Sequence, residues 1–260
     1  MNNLNLLFRR RIGLQEDELV NFEKLDRVLE KTATAIPFEN LCVISNTVAD
    51  ITQENLIQKI LLRNEGGLCY ELNTILYYFL KENGLDVNLA RAIVFEHANQ
   101  DYAAVGRTHV IILLNQHDQT FVVDTGFGGN LPLKPVPLSG EVVTSFNGEF
   151  RIRQEESAHG NYVLEMKLKH KDTDWKNGYA FHSQQLVIDI AEMNEVQKVI
   201  TESTNSPFNK APLMTRLTES GSQTLTSTSF TQWINGQIIK EDIAEKQFKE
   251  LAKKHFEIEC

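Results

Sequence analysis

At Leu85 the spacing of apolar residues switches from a helical period to a strand period, and neither an all-helical nor an all-β fold accommodates both. Upstream, Leu14, Leu19, Phe22, Leu25, Val28 and Leu29 recur every three or four residues. They predict a helix ending near Ile36-Pro37, since proline disfavours helical backbone in the residue before it. Thr52 is placed to cap a second helix with the stripe Leu56, Ile57, Ile60 and Leu61. Gly66-Gly67 breaks that helix, and a third stripe follows with Leu72, Ile75, Leu76, Phe79 and Leu80, with Gly84 as its C-terminal cap. Cys69 thus falls in or just before the first turn of the third helix. Downstream, Val87, Leu89, Ile93 and Phe95 alternate along one strand, and further strand-like runs lie at 108–114, 120–124, 149–153 and 161–169. The middle third therefore reads as an antiparallel sheet or barrel. The segment 126–140 holds three of the chain's six prolines and reads as a loop without regular structure. The last third is mixed. A helix is expected near 189–200, an irregular stretch after Ser206-Pro207, short strands around 223–239 and a closing helix over 241–255.

With 42% hydrophobic residues in 260, the chain has material for a sizeable core. A formal net charge of -9 argues against nucleic acid as a partner. No apolar run approaches the roughly 20 residues of a membrane-spanning helix, and the start, MNNLNLLFRRR, puts its positive charges after a short apolar patch rather than before a long one, so neither membrane nor export is expected. Three scattered cysteines, Cys42, Cys69 and Cys260, make no disulfide framework and point to a reducing cytoplasm. Neither C-x-x-C nor H-x-x-x-H occurs, so no metal site is expected.

A thiol at a helix start feels the partial positive charge of unpaired backbone N–H groups, which favours thiolate and makes Cys69 the best nucleophile candidate. Glu65 and Glu71 flank it and oppose ionisation, so a cationic partner is required. The runs 108–114 and 120–124, joined by the polar residues 115–119, form a hairpin in which facing residues sum to about 234, give or take one or two. His109 then faces Asp124 or its neighbour, and cross-strand Cβ atoms about 4.5–5.5 Å apart allow a carboxylate–imidazole hydrogen bond. Such a pair, placed against a thiol, has the logic of an activated cysteine; taken alone, it equally suits a histidine satisfied at a sheet edge. His97, His117, His159, His170, His182 and His255 read as surface residues, Cys42 as core and Cys260 as exposed. Gly126, Phe127, Gly128 and Gly129 directly follow Thr125, and the glycines allow backbone N–H groups close to a pantetheine arm or pyrophosphate, although a tight strand exit explains them as well. Phe38 follows a proline-fixed bend and either walls a pocket or joins the core.

Five segments, RRIG at 10–13, IPFENL at 36–41, GGLCYELN at 66–73, RTHVIILL at 107–114 and VDTGFGG at 123–129, together with SPF at 206–208, resemble the arylamine N-acetyltransferase family in content, order and spacing. The resemblance implies an α+β fold: an N-terminal helical bundle over 1–84 with the cysteine, a central antiparallel β-barrel over 85–188 with the histidine and aspartate, and a C-terminal mixed α/β lid over 189–260, around a core like that of cysteine proteases. It maps the family's catalytic residues onto Cys69, His109 and Asp124. It implies acetyl-CoA as co-substrate and aromatic amines, hydrazines or arylhydroxylamines as acceptors. Phe38, Val94, Thr108, Gly126 and Phe127 would line the acyl and amine pocket. The implied protein is a monomer or weak homo-oligomer. The same three residues would also serve an amide synthase or amide hydrolase, and a silent small-molecule-binding homologue would retain the fold. The chain departs from the family in carrying Glu65 where arginine usually precedes the two glycines, and Leu68 in place of an aromatic.

Overall fold

The computed structural model describes residues 4–259. The helical third contains α1 (Leu4–Ile12), α2 (Leu25–Ala35), a two-residue strand β1 (Phe38–Glu39), α3 (Leu41–Ile44), α4 (Gln53–Leu56) and α5 (Cys69–Glu82). The Thr52 hydroxyl accepts from the Asn55 N–H and starts α4, which widens into a π turn over Ile57–Leu62. Asn83 and then Gly84, at φ +81°, end α5.

One helix is differently bounded than its stripe predicts. Leu19 is exposed, and residues 13–21 are not helical; α1 ends at Gly13 in the left-handed region, and α2 begins only at Leu25. The cause is polar: the buried Arg9 guanidinium donates to the carbonyls of Gln15 and Glu18, which gives that backbone partners a helix would otherwise supply. Cys42, expected in the core, is only half-buried, on the short α3. Cys260 lies outside the described residues.

The barrel strands are β2 (Asp86–Glu96), β3 (Asp101–Tyr102), β4 (His109–Gln116), β5 (Gln119–Val123), β6 (Val136–Pro137), β7 (Val143–Ser145), β8 (Gly148–Ser157), β9 (Gly160–Leu168) and β10 (Lys176–Leu186). They pair in the order β6-β5-β4-β2-β10-β9-β8-β7, with β3 on β2, and β6 against β8 nearly closes the barrel. The segment 126–140 is thus not wholly irregular, since Val136–Pro137 pairs with β5. Strand β4 explains its own apolar run: Val110, Ile112 and Leu114 pack against the helices, whereas Ile111 and Leu113 face the barrel interior.

The hairpin predicted around 115–119 closes more tightly than expected. His117 and Asp118 form a two-residue turn with φ of +49° and +59°, and the register sum is 235. Pairing stops at Ile112↔Val123, so His109 pairs with Ala92 on β2 and Asp124 lies beyond the ladder.

The last third holds α6 (Glu192–Glu202), β11 (Leu213–Thr218), β12 (Gly221–Thr226), β13 (Ser229–Ile234), β14 (Gln237–Asp242) and α7 (Glu245–Phe256). The stretch expected to be irregular opens with a 3-10 turn, Pro207–Asn209, and is irregular only over 210–212, and 241–242 belong to β14 rather than to the closing helix. Phe248, Ala252 and Phe256 of α7 cover Met214, Leu225 and Phe230 of the sheet. Strand β1 joins this sheet through Phe38↔Thr215, so chain segments far apart in sequence share one sheet. Among the described residues no helix is long and apolar enough to cross a membrane.

Phe8 and Phe79 stack at 4.3 Å between ring centroids, both fully buried, and bind α1 to α5. Phe79→Ala is expected to cost about 3–5 kcal/mol of unfolding free energy in urea titrations. A loss under about 1 kcal/mol would mean that α1 is not a load on α5.

Candidate active site

Cys69 is the first residue of α5, and Leu68 before it is extended at ψ 175°. The Leu68 N–H donates to Glu71 Oε2 at 2.9 Å, so a side chain satisfies the helix entry. The Cys69 thiol is almost buried and donates to the Thr108 carbonyl at 3.5 Å.

His109 begins β4 and shares the inward parity of Ile111 and Leu113. Its Nε2 lies 2.7 Å from Asp124 Oδ2, and the ring and Cys69 line one cavity, close enough that the sulfur favours the charged imidazole. The Phe127 and Tyr179 rings flank it at 5.1 and 4.7 Å. Asp124 is fully buried beyond the end of β5, where it accepts from Asn73 Nδ2 at 2.8 Å and the Gly126 N–H at 2.7 Å besides His109. The hydrogen bond foreseen between His109 and Asp124 is present, although the two residues are not ladder partners.

Asn73 is a site residue that sequence reasoning passed over. It follows Cys69 by four positions and so lies on the same helix face. Its amide donates to Val110 O and Asp124 Oδ1 and accepts from Thr125, tying α5 to both barrel strands. Gly126 makes this approach possible: a Cβ there would sit 2.6 Å from Cys69 Cα and 2.8 Å from Asn73 Nδ2.

Burial opposes a charged imidazole, but the Asp124 charge and hydrogen bond, helped by Cys69, outweigh it and raise the His109 pKa to about 10. Burial likewise opposes the Asp124 carboxylate, and His109, Asn73 and the Gly126 N–H overcome that cost and lower its pKa. The two flanking glutamates are neutralised in place. Arg63 donates to both Glu65 oxygens, at 2.6 and 3.1 Å, and Lys59 reaches Glu71 at 2.6 Å.

Cys69 and His109 open onto a cavity of about 480 Å³, a size suited to a small molecule. Phe38, Val94, Thr108, Gly126, Phe127, Gly128 and Gly129 all line it. Asp124 stands behind the imidazole, outside the cavity wall. The C-terminal sheet supplies Thr215 and Trp233, and Phe208 packs on Phe38 at 5.6 Å. Phe208 lies in the SPF segment, whereas Thr215 and Trp233 carry no local signal. No group of three or more potential metal ligands occurs among the described residues.

A helix-borne thiol, a strand-borne imidazole and a buried carboxylate on an α+β scaffold define a cysteine–histidine–acid enzyme fold. The chain belongs to the arylamine N-acetyltransferase family: the N-acetyltransferase family model matches residues 21–260. An uncharacterized acetyltransferase of Bacillus subtilis (strain 168), YvcN, is 39% identical over 248 residues, 95% of each chain. The crystal structure of an arylamine N-acetyltransferase from Bacillus cereus superposes with a TM-score of 0.93 at 40% identity, covering 100% of both chains. Arylamine N-acetyltransferase C of Bacillus anthracis matches with a TM-score of 0.93 at 37% identity over 99% of both. The Bacillus cereus protein is described as having a unique Cys-His-Glu catalytic triad; in this chain the acid beside the histidine is Asp124. The chain is accordingly an acyltransferase, of the family that transfers acetyl to arylamines.

The paired charges set a pH signature for stability. With its pKa raised from 6.5 to about 10 on folding, His109 contributes fully below pH 6.5 and loses that contribution as pH rises through 10. Asp124, with its pKa lowered from 3.8, contributes above that value and loses its share as pH falls through its folded pKa. Urea titrations are expected to show a stability deficit for His109→Gln that is larger at about pH 6 than at about pH 10. An equal deficit at both would count against the ion pair.

Proposed function

We propose that Cys69, His109 and Asp124 carry out a two-step acetyl transfer from acetyl-CoA to an aromatic amine, hydrazine or arylhydroxylamine. The observation that carries this reading is the Asp124-bound imidazole beside the Cys69 sulfur at the wall of a 480 Å³ cavity. Its pKa raised to about 10, His109 already holds a proton near neutral pH, so Cys69 attacks the thioester carbonyl as the thiolate of that pair; as the tetrahedral species collapses, the C–S bond to CoA breaks and the imidazolium gives its proton to the departing CoA thiolate. In the second step the amine nitrogen attacks the acetyl-cysteine carbonyl. His109, neutral after the first step, removes a proton from that nitrogen and keeps it as the thioester breaks, which restores the thiolate–imidazolium pair. Asp124 stays ionised and holds the imidazole in orientation.

Backbone at Gly126, Phe127, Gly128 and Gly129 gives the pantetheine arm a close approach, while Phe38, Val94 and Phe127 form the apolar wall for the aryl group, with Thr108 beside them. An apolar wall suits a flat ring and admits water poorly, which protects an acetyl-enzyme from hydrolysis. Residues 126–130 and the C-terminal residues Phe208, Thr215 and Trp233 border the same opening. With Cys42 and Cys69 both free thiols, a reducing cytoplasm is the fitting compartment.

Incubation with acetyl-CoA alone is expected to add one acetyl group to the Cys69 peptide and release one equivalent of free CoA, and an added aryl amine should then discharge it. Cys69→Ala should lower turnover by at least about 10³-fold. An unmodified Cys69 peptide in a folded protein would reject the transfer mechanism, and acetyl-enzyme that only water discharges would favour hydrolysis.

A further inference from the structure

Three ionisable groups that take no part in the proposed chemistry are buried beneath the start of α5. Lys59, in the π turn after α4, is almost inaccessible, as are Glu39 on β1 and Glu71 on the first turn of α5. Lys59 Nζ is 2.6 Å from Glu71 Oε1 and 3.6 Å from Glu39 Oε1. A buried ammonium costs several kcal/mol to desolvate, and a lone hydrophobic contact would be the cheaper way to fill this space. Burial therefore needs compensation, which Oε1 of each carboxylate supplies, while the second oxygens bind the backbone.

Glu71 Oε2 accepts the Leu68 N–H, immediately before Cys69, and Glu39 Oε2 accepts the Leu41 N–H at 2.6 Å. Between them runs the Gly66-Gly67 segment, bridged to β1 by the Glu39 N–H to Gly67 O and the Gly67 N–H to Pro37 O. A Cβ on Gly67 would lie 2.8 Å from Glu71 Oε2, so the carboxylate packs directly on this backbone. One ammonium thus ties the turn that presents the thiol to the strand that carries Phe38, a wall of the cavity.

The charge balance around Cys69 follows from the same contacts. Glu65 is turned onto Arg63 and lies 4.0 Å from Cys42 Sγ, so Lys59 is the cation that faces Glu71 and Glu39. Burial works against the Lys59 charge, yet Glu71 and Glu39 together raise its pKa. Lys59 therefore stays charged between its two carboxylates.

We propose that Lys59 is a positioning residue for Cys69: through Glu71 and Glu39 it fixes the turn that presents the thiol, and it cancels the carboxylate charge that would otherwise oppose thiolate formation. The proposal rests on Cys69 being the nucleophile. Its test does not require acetyl transfer.

The experiment is iodoacetamide alkylation of the full chain, followed on the Cys69 peptide by mass spectrometry as a function of pH. Lys59→Met is expected to raise the midpoint of the profile by at least about half a pH unit and to lower the plateau rate several-fold. Lys59→Arg should restore both. Glu71→Gln, which removes a charge while its amide oxygen still accepts the Leu68 N–H, should move the midpoint the other way. A role confined to packing would lower the melting temperature of Lys59→Met without moving the midpoint. A folded Lys59→Met with an unshifted midpoint overturns the proposal; should that variant fail to fold, an unshifted midpoint in Glu71→Gln overturns it equally. Failure of acetyl-CoA to label Cys69 alongside the expected midpoint shifts would fault the acetyl-transfer reading and leave the positioning role standing.

Discussion

A carboxylate with no access to water dictates the centre of this molecule. Asp124 is stable there only because His109, Asn73 and the Gly126 N–H all donate to it, and these donors come from β4, α5 and the turn after β5. Satisfying one charge therefore requires the helical region and the barrel to meet at a single point. The thiol benefits indirectly: Asn73, which steadies the carboxylate, stands one helical turn beyond Cys69, so the geometry of the acid and that of the sulfur are one constraint.

Charge compensation extends outward in layers. Around the imidazole and Asp124 lie Glu71 and Glu39, matched by Lys59, and further out Glu65, matched by Arg63. The chain carries an acidic residue where its family usually has an arginine, and the balance is kept by cations placed two and six positions before it. The outer pair is exposed and contributes little to stability, whereas the inner one is buried and breaking it leaves an uncompensated charge.

What the sequence made legible is what local spacing encodes. The α5 stripe, the Thr52 cap and the β4–β5 hairpin follow from periodicity and turn chemistry, and the family motifs added the fold and the acyltransferase class. The exposed Leu19 shows where periodicity misleads: buried Arg9 captures the carbonyls of the segment a helix would need. Strand β11 and the cavity residues Thr215 and Trp233 could not be read locally, because their burial depends on β1 and on a sheet assembled from distant segments. Asn73 was within reach of a simple argument, its spacing of four from the cysteine.

Because β1 pairs with β11, the wall that Phe38 offers is shared with strands near the C-terminus. During synthesis α5 leaves the ribosome long before those strands exist, and nascent chains at this stage present Cys69 without a closed chamber around it. A chain released before β11 is made would carry the same sulfur with no means of selecting what it meets.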